Sequence, residues 1–403
     1  MKRKLQIYYG ILFVALILAP CLVFLAVRSH IDTTNYENTA QAEFPVIGKT
    51  LTNGTPVTID NFPSLFEDWF NDHLPFRNQL LTLNSFFDYT VLKTSSSDQV
   101  IVGKDGWLFY QGGQVNDEDP VADYEGTNLF TDEELQTIAS NMTKIEKELK
   151  AQGTDFMIYF APNKERVYSE YMPDSYGEPA GNSRMNQVIE YLRKNTDITV
   201  ISALDDLMEF KQSHPNVQLY YKYDTHWNNI GAYVGTKSLC EALGEKWTPY
   251  EDCTVLNKDT VPDTVDPSNF VAHFDLSRLI HLGNYLDPKD EVEMITGYSK
   301  YGLYLDGENA QMSQFHYYID TSDGTVPPRG NLMVIGDSFS AVSAQYYGMD
   351  YAQTYVTYYY NYDKSQLEEA KPEVVVYESV ERYIQNMLYF DLDEGFNPPE
   401  GWR

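Results

Sequence analysis

The sequence predicts an α/β fold with a central parallel sheet flanked by helices. Three observations carry this. Phe156–Phe160, Ile198–Ile201, Leu332–Ile335 and Val374–Glu378 are short, nearly unbroken apolar runs of strand length, the pattern of strands buried on both faces. Segments with helical spacing, Thr131–Gln152 and Ser183–Asn195, precede the first two of these runs, giving the alternation of a parallel sheet. Polar loop residues follow the strand ends, as in Ala161-Pro162-Asn163-Lys164 and Gly336-Asp337-Ser338. Loops after such strands line the ligand crevice of an open α/β sheet.

The chain has 403 residues and a net charge of −30, enough length for one large domain or two smaller ones. The acidic balance argues against a nucleic-acid partner, whose phosphates a binding face must neutralise. It also disfavours docking on anionic lipid head groups. The 33 tyrosines suit strands as well as sugar-stacking clefts, so they do not decide between these roles.

Met1–Lys4 is basic, and residues 8–27 carry no charge over a length suited to a bilayer span. The basic flank predicts that the rest of the chain lies on the outer side. A cleaved signal peptide is the alternative, but no A-x-A site follows. Leu18-Ala19-Pro20-Cys21 makes a poor lipoprotein box because proline precedes the cysteine. The expected organisation is an anchor at 1–30, an extracytoplasmic spacer at 31–60 and a domain at 61–403, with an irregular insertion at about 248–330.

From Phe62 to Leu92 apolar residues recur at helical spacing around Pro75, predicting two helices with Asp72, His73 and Arg77 at the break. Gln99–Val102 is a strand candidate, and Trp107, Phe109 and Tyr110 form a glycine-bracketed aromatic turn that packs on the sheet or contacts sugar. Thr131 caps the next helix, with Glu134 completing a capping box. Ser183 caps the one after it. Leu204–Phe210 reads as a short helix and Asn229–Leu243 as a helix closed by Gly244. Within the insertion, Phe274–Leu279 is a short helix candidate, and Tyr301–Tyr304 and Phe315–Ile319 are candidate strands of a hairpin or small sheet. Ala341–Tyr347 reads as a helix and Thr354–Tyr360 as a strand. Cys240 and Cys253 can pair if the domain lies outside the cell.

Two motifs carry chemistry. The apolar run Leu332–Ile335 ends at Gly336, and Ser338 follows at the turn. Strand, glycine and exposed serine give a nucleophile its geometry, and the backbone N–H at the turn is an oxyanion donor. A serine needs a base, and the base an orienting group. Asp224 and His226, two positions apart in Tyr223-Asp224-Thr225-His226-Trp227, supply both. Ser340, two residues on, is the competing nucleophile.

The pairing of an upstream D-T-H-W-N with a downstream G-D-S-F-S resembles the SGNH hydrolase-like domain of the alginate O-acetyltransferase group and the DHHW proteins. Glu67–Arg77 and Val102–Gly113 fit the same resemblance. It implies an SGNH-like fold and a Ser338–His226–Asp224 triad that moves acetyl groups onto an exported polysaccharide. It further implies an acetyl donor supplied by a membrane-bound O-acyltransferase, and no cofactor. The sequence departs from typical SGNH hydrolases in three ways. Its pair is D-x-H, the pair precedes the serine, and no G-x-N-D block supplies the second oxyanion donor. Asn163 is the candidate for that donor. Lys164, Arg166, Tyr223 and Trp227 are candidate substrate contacts. The rival readings are a carbohydrate O-acetyl esterase, a non-catalytic glycan-binding or assembly protein, and metal-assisted hydrolysis through Asp224, His226 and a distant histidine such as His273.

Overall fold

The computed structural model describes residues 2–27, 41–74, 76–113, 118–257, 275–283, 285–286, 294–306, 314–399 and 402. The chain divides into two compact units, Met1–Ser97 with Ser277–Leu286, and Asp98–Leu276 with Asp287–Arg403.

In the first unit, the uncharged run at 8–27 lies in helix α1 (Lys2–Val27). Among the described residues no helix is long and apolar enough to cross a membrane. The stretch expected as a spacer is described from residue 41 onward, where the chain turns back on itself through a bridge between Thr50 and Pro56. The two helices expected around Pro75 are α2 (Phe62–Asp72) and α3 (Arg77–Phe87); Pro75 lies outside the described residues. Asp72 accepts the Ala42 N–H at 2.8 Å. His73 Nδ1 lies 2.8 Å from the Trp69 carbonyl, and the two rings stack. These contacts close the end of α2.

The second unit is built on a seven-stranded sheet. Its strands are β1 (Asp155–Ala161), β2 (Thr199–Ser202), β3 (Leu303–Leu305), β4 (Gln314–Ile319), β5 (Arg329–Gly336), β6 (Tyr351–Tyr358) and β7 (Val374–Val380). Their order is β2-β1-β7-β5-β6-β4-β3. The first five in that order are parallel. The last two, from the segment expected as an insertion, extend the edge antiparallel. The sheet is therefore mixed, with a parallel core as expected.

The pleat sends alternate side chains to opposite faces. Phe156, Ile158, Met333, Ile335 and Val375 pack under α4 (Asp132–Ala151) and α5 (Arg184–Asn195). Tyr159, Leu332, Val334 and Val376 share the other cluster with residues of α7 (Asn229–Gly235), α8 (Lys237–Leu243) and α9 (Ser340–Tyr347). Full burial of each such aliphatic side chain contributes about 2 kcal/mol relative to exposure. Helix α6 (Leu204–Ser213) follows β2. Thr131 and Glu134 form the expected capping box.

The helix expected over 229–243 is two pieces, divided at Thr236, whose hydroxyl donates to the Tyr233 carbonyl at 2.8 Å. Close packing explains Gly231. A Cβ there would stand 1.9 Å from the Leu219 carbonyl oxygen, so the glycine lets α7 abut that strand-like segment. Cys240 and Cys253 are free thiols, contrary to the pairing considered above. Cys240 is buried near the Tyr346 carbonyl and Cys253 faces the Tyr233 hydroxyl.

Candidate active site

Strand β5 is the central strand of the seven-stranded sheet and delivers Ser338 just past its C-terminal end. Gly336 is required by space. A Cβ would meet Ser340 Oγ at 2.6 Å, while its φ does not enter the left-handed region. Asp337 then staples the turn: Oδ1 accepts the Phe339 N–H at 2.9 Å, and Oδ2 accepts the Val380 N–H at 2.7 Å from the end of β7. Burial pushes the Asp337 carboxyl up, and those two N–H donors oppose the shift. Ser338 is half-exposed above this staple, while Ser340 is fully buried. The Ser340 hydroxyl donates to the Asp337 carbonyl at 2.6 Å, which makes it a turn-closing group and no rival nucleophile.

His226 reaches Ser338 from a loop before α7. Its Nε2 lies 2.6 Å from Ser338 Oγ, and its Nδ1 lies 2.7 Å from Asp224 Oδ1. The same carboxylate oxygen accepts the His226 backbone N–H at 2.9 Å. That contact makes the D-x-H spacing a tight turn with the carboxylate folded onto its own imidazole. Burial lowers the His226 pKa, but the Asp224 charge and hydrogen bond outweigh it and the net shift is upward. An Nδ1–H directed at Asp224 leaves Nε2 as the acceptor for a serine proton.

The frame under the pair is built from residues expected to touch substrate. Lys164 is buried, and its Nζ donates to the carbonyls of Leu108, Lys222 and Asp224 at 2.6, 3.0 and 2.9 Å. Its ammonium also lies over the Trp107 and Phe109 rings, 5.2 Å from each centroid. The aromatic turn is thus core, with Trp107 stacked on Tyr168 and Tyr171. Arg166 is buried in an ion pair with Glu381 at 2.8 Å. Trp227 is fully buried and donates from Nε1 to the Phe339 carbonyl at 3.2 Å. Lys164, Arg166 and Trp227 therefore hold the loops and do not face a cleft. Their polar atoms are needed to satisfy buried partners. Tyr223 is half-exposed beside Lys222.

Asn163 follows β1, next to β7. Its backbone N–H donates to Glu381 Oε2 at 3.1 Å, and its Oδ1 accepts the Arg382 N–H at 3.3 Å. Its Nδ2 is buried and has no partner among the described residues. The Arg382 guanidinium in turn lies 5.2 Å from the Phe339 ring centroid and pairs with Glu118 at 3.1 Å.

Two residues escaped the sequence reading. Arg382 had no motif to mark it. Asp275 lies 50 positions after Thr225, yet its Oδ1 accepts the Thr225 N–H at 2.8 Å. Its own N–H donates to Asp224 Oδ2 at 3.0 Å. One side-chain oxygen or nitrogen from each of Asp224, His226 and Asp275 lies within 4.8 Å of the others. A cation there would compete with the Asp224–His226 hydrogen bond. His273, considered above as a third ligand, lies outside the described residues.

Residues 100–277 match the family described as an SGNH hydrolase-like domain, acetyltransferase AlgX. The chain is similar to the probable alginate O-acetylase AlgJ of Pseudomonas putida, 27% identical over 149 residues, covering 36% of this chain and 34% of that protein. It is also similar to its counterpart in Pseudomonas syringae pv. tomato, 24% identical over 249 residues, covering 61% and 54%. The matches thus span between about a third and about half of the length of these curated relatives. Among solved structures, a DHHW family protein from Eubacterium siraeum aligns with a TM-score of 0.48 at 12% identity, over 73% of this chain and 99% of that one. The O-acetyltransferase domain of Pseudomonas putida AlgJ aligns with a TM-score of 0.40 at 19% identity, over 71% and 92%. Residues 100–277 are thus similar to an SGNH hydrolase-like domain, the class that the motifs indicate. The curated relatives that the chain matches are AlgJ proteins.

Proposed function

We propose that this chain is an extracytoplasmic O-acetyltransferase that moves acetyl groups onto a cell-surface or secreted polysaccharide through a Ser338 acyl-enzyme. The observation that carries the reading is the hydrogen-bonded series Asp224–His226–Ser338, which ends on a half-buried serine. The relatives named as probable alginate O-acetylases support the substrate class.

His226 Nε2 takes the Ser338 proton as Oγ attacks the acetyl carbonyl. Asp224 holds the imidazole in the required tautomer and stabilises the imidazolium. The Ser338 backbone N–H and Asn163 Nδ2 donate to the developing oxyanion. His226 then returns its proton to the leaving group. A sugar hydroxyl, deprotonated by the same nitrogen, takes the acetyl in the second half-reaction. Tyr223 is the remaining candidate contact for the acceptor. Residues 8–27 anchor the chain in the membrane with the domain outside. A membrane-bound O-acyltransferase delivers the acetyl group from within.

The test uses the full chain with an activated acetyl ester, with and without oligosaccharide acceptors, against Ser338→Ala. Acetate release lost in the folded variant, and acetylated glycan formed when acceptor is present, is the expected result. Release of acetate with no transfer to any glycan would favour the esterase. An inert wild type would favour a glycan-binding protein.

A further inference from the structure

We propose that Asp275 is a positioning residue for the Asp224–His226 pair, a second carboxylate that fixes the pair's geometry and stabilises the imidazolium formed while Ser338 is acylated. The proposal rests on the serine acyl-enzyme reading given above. Three contacts carry it. The Asp275 N–H holds Asp224 Oδ2 at 3.0 Å, opposite the oxygen that engages His226. The Asp275 carboxylate accepts both the Thr225 N–H and the Thr225 hydroxyl. Thr225 lies between Asp224 and His226, so these bonds fix the turn that sets their mutual geometry. Asp275 Oδ2 also lies 3.7 Å from His226 Nδ1, close enough to act on a cation formed there.

The proton balance stays within the triad. The Ser338 Oγ–H bond breaks as Oγ bonds the acyl carbon, and Nε2 receives the proton. Asp275 neither gains nor loses it, and only its charge acts. Asp224 and His226 face Asp275 from the loop before α7, and the Arg382 guanidinium acts on the same imidazole with the opposite sign. Burial, and then the Asp224 charge, push the Asp275 carboxyl up to about 7. Its anionic assistance therefore increases through neutrality, which gives the role a pH signature that a purely structural contact lacks.

The experiment compares the full wild-type chain with Asp275→Asn and Thr225→Val on an activated acetyl ester, with Ser338→Ala as the blank. Asp275→Asn keeps the side-chain shape and removes the charge. The expected ratio of wild-type to Asp275→Asn kcat is about twofold near pH 6 and rises to about tenfold near pH 8.5, with KM unchanged. Thr225→Val, which keeps both carboxylates, should show a smaller loss. A ratio that stays constant with pH, or no loss at all, overturns the proposal.

The His226 ring is also titrated by NMR in the full chain. Asp275→Asn should lower its pKa, and an unchanged value overturns the proposal. This titration needs no turnover. If wild type shows no Ser338-dependent release, the acyl-enzyme reading fails, while the effect of Asp275 on His226 is still decided.

Discussion

His226 Nε2 stands 2.6 Å from Ser338 Oγ, across 112 positions of sequence. Ser340, two residues beyond Ser338, points the other way and closes the turn through the Asp337 carbonyl. Ser338→Ala should abolish ester turnover without lowering the melting temperature. Ser340→Ala should retain turnover within about threefold and lose about 1 kcal/mol of stability, the net worth of a buried hydroxyl bond. Acyl-enzyme trapping followed by mass spectrometry places the adduct. An adduct on Ser340 would reverse the assignment.

Asp224 raises the His226 pKa against the pull of burial. The base must be neutral to accept a proton, so activity falls as pH drops through the raised value. The acidic limb of the kcat/KM profile should therefore lie above the ordinary histidine value of about 6.5. Asp224→Asn should move that limb to lower pH and reduce kcat by about a hundredfold or more.

Asn163 Nδ2 is a buried donor with no partner among the described residues, and such a group is costly unless it is kept for a ligand. Asn163→Ala should lower kcat about a hundredfold with little change in KM, because an oxyanion donor acts mainly in the transition state. A change in KM alone would make Asn163 a substrate contact.

Lys164 ties the carbonyl of Asp224 to those of Leu108 and Lys222. Lys164→Met fills similar space but removes the ammonium donor from the carbonyls of Leu108, Lys222 and Asp224, of which that of Lys222 still accepts the Leu108 N–H. The expected cost is about 3 kcal/mol, read as a lower denaturation midpoint with unchanged slope. Activity should fall as well, through displacement of Asp224.

Glu378 lies on β7, beside β5, is fully buried, and accepts the Ser343 and Tyr347 hydroxyls. Burial pushes its pKa from 4.5 up to about 8. A raised carboxyl favours the folded state fully below about 4.5, and that contribution is lost as pH rises through about 8. The wild-type melting temperature should therefore fall faster between pH 5 and pH 8 than that of Glu378→Gln. Parallel curves from scanning calorimetry would contradict this.

The parallel core was legible because its strands are buried on both faces and read as apolar runs between helices. The capping box at Thr131 and the helix end at Gly244 were equally local, set by side chains that bond their own neighbours. Ser338, His226 and Asp224 could be named because each sits in a short motif whose geometry is fixed within a few residues. Lys164 and Arg166 were placed on the correct loop but given the wrong surroundings, since sequence does not show which buried carbonyl or carboxylate will meet a charge. The chain's own order of residues thus determined the parallel core of the sheet, most of its helices and the candidate reacting groups. Tertiary structure alone decided that the edge of the sheet is antiparallel, that Ser340 is buried, and that Asp275 is bonded to Thr225 and Asp224. Those facts depend on contacts between segments far apart in the chain, where packing and the pairing of buried polar groups settle the outcome and no local period records it.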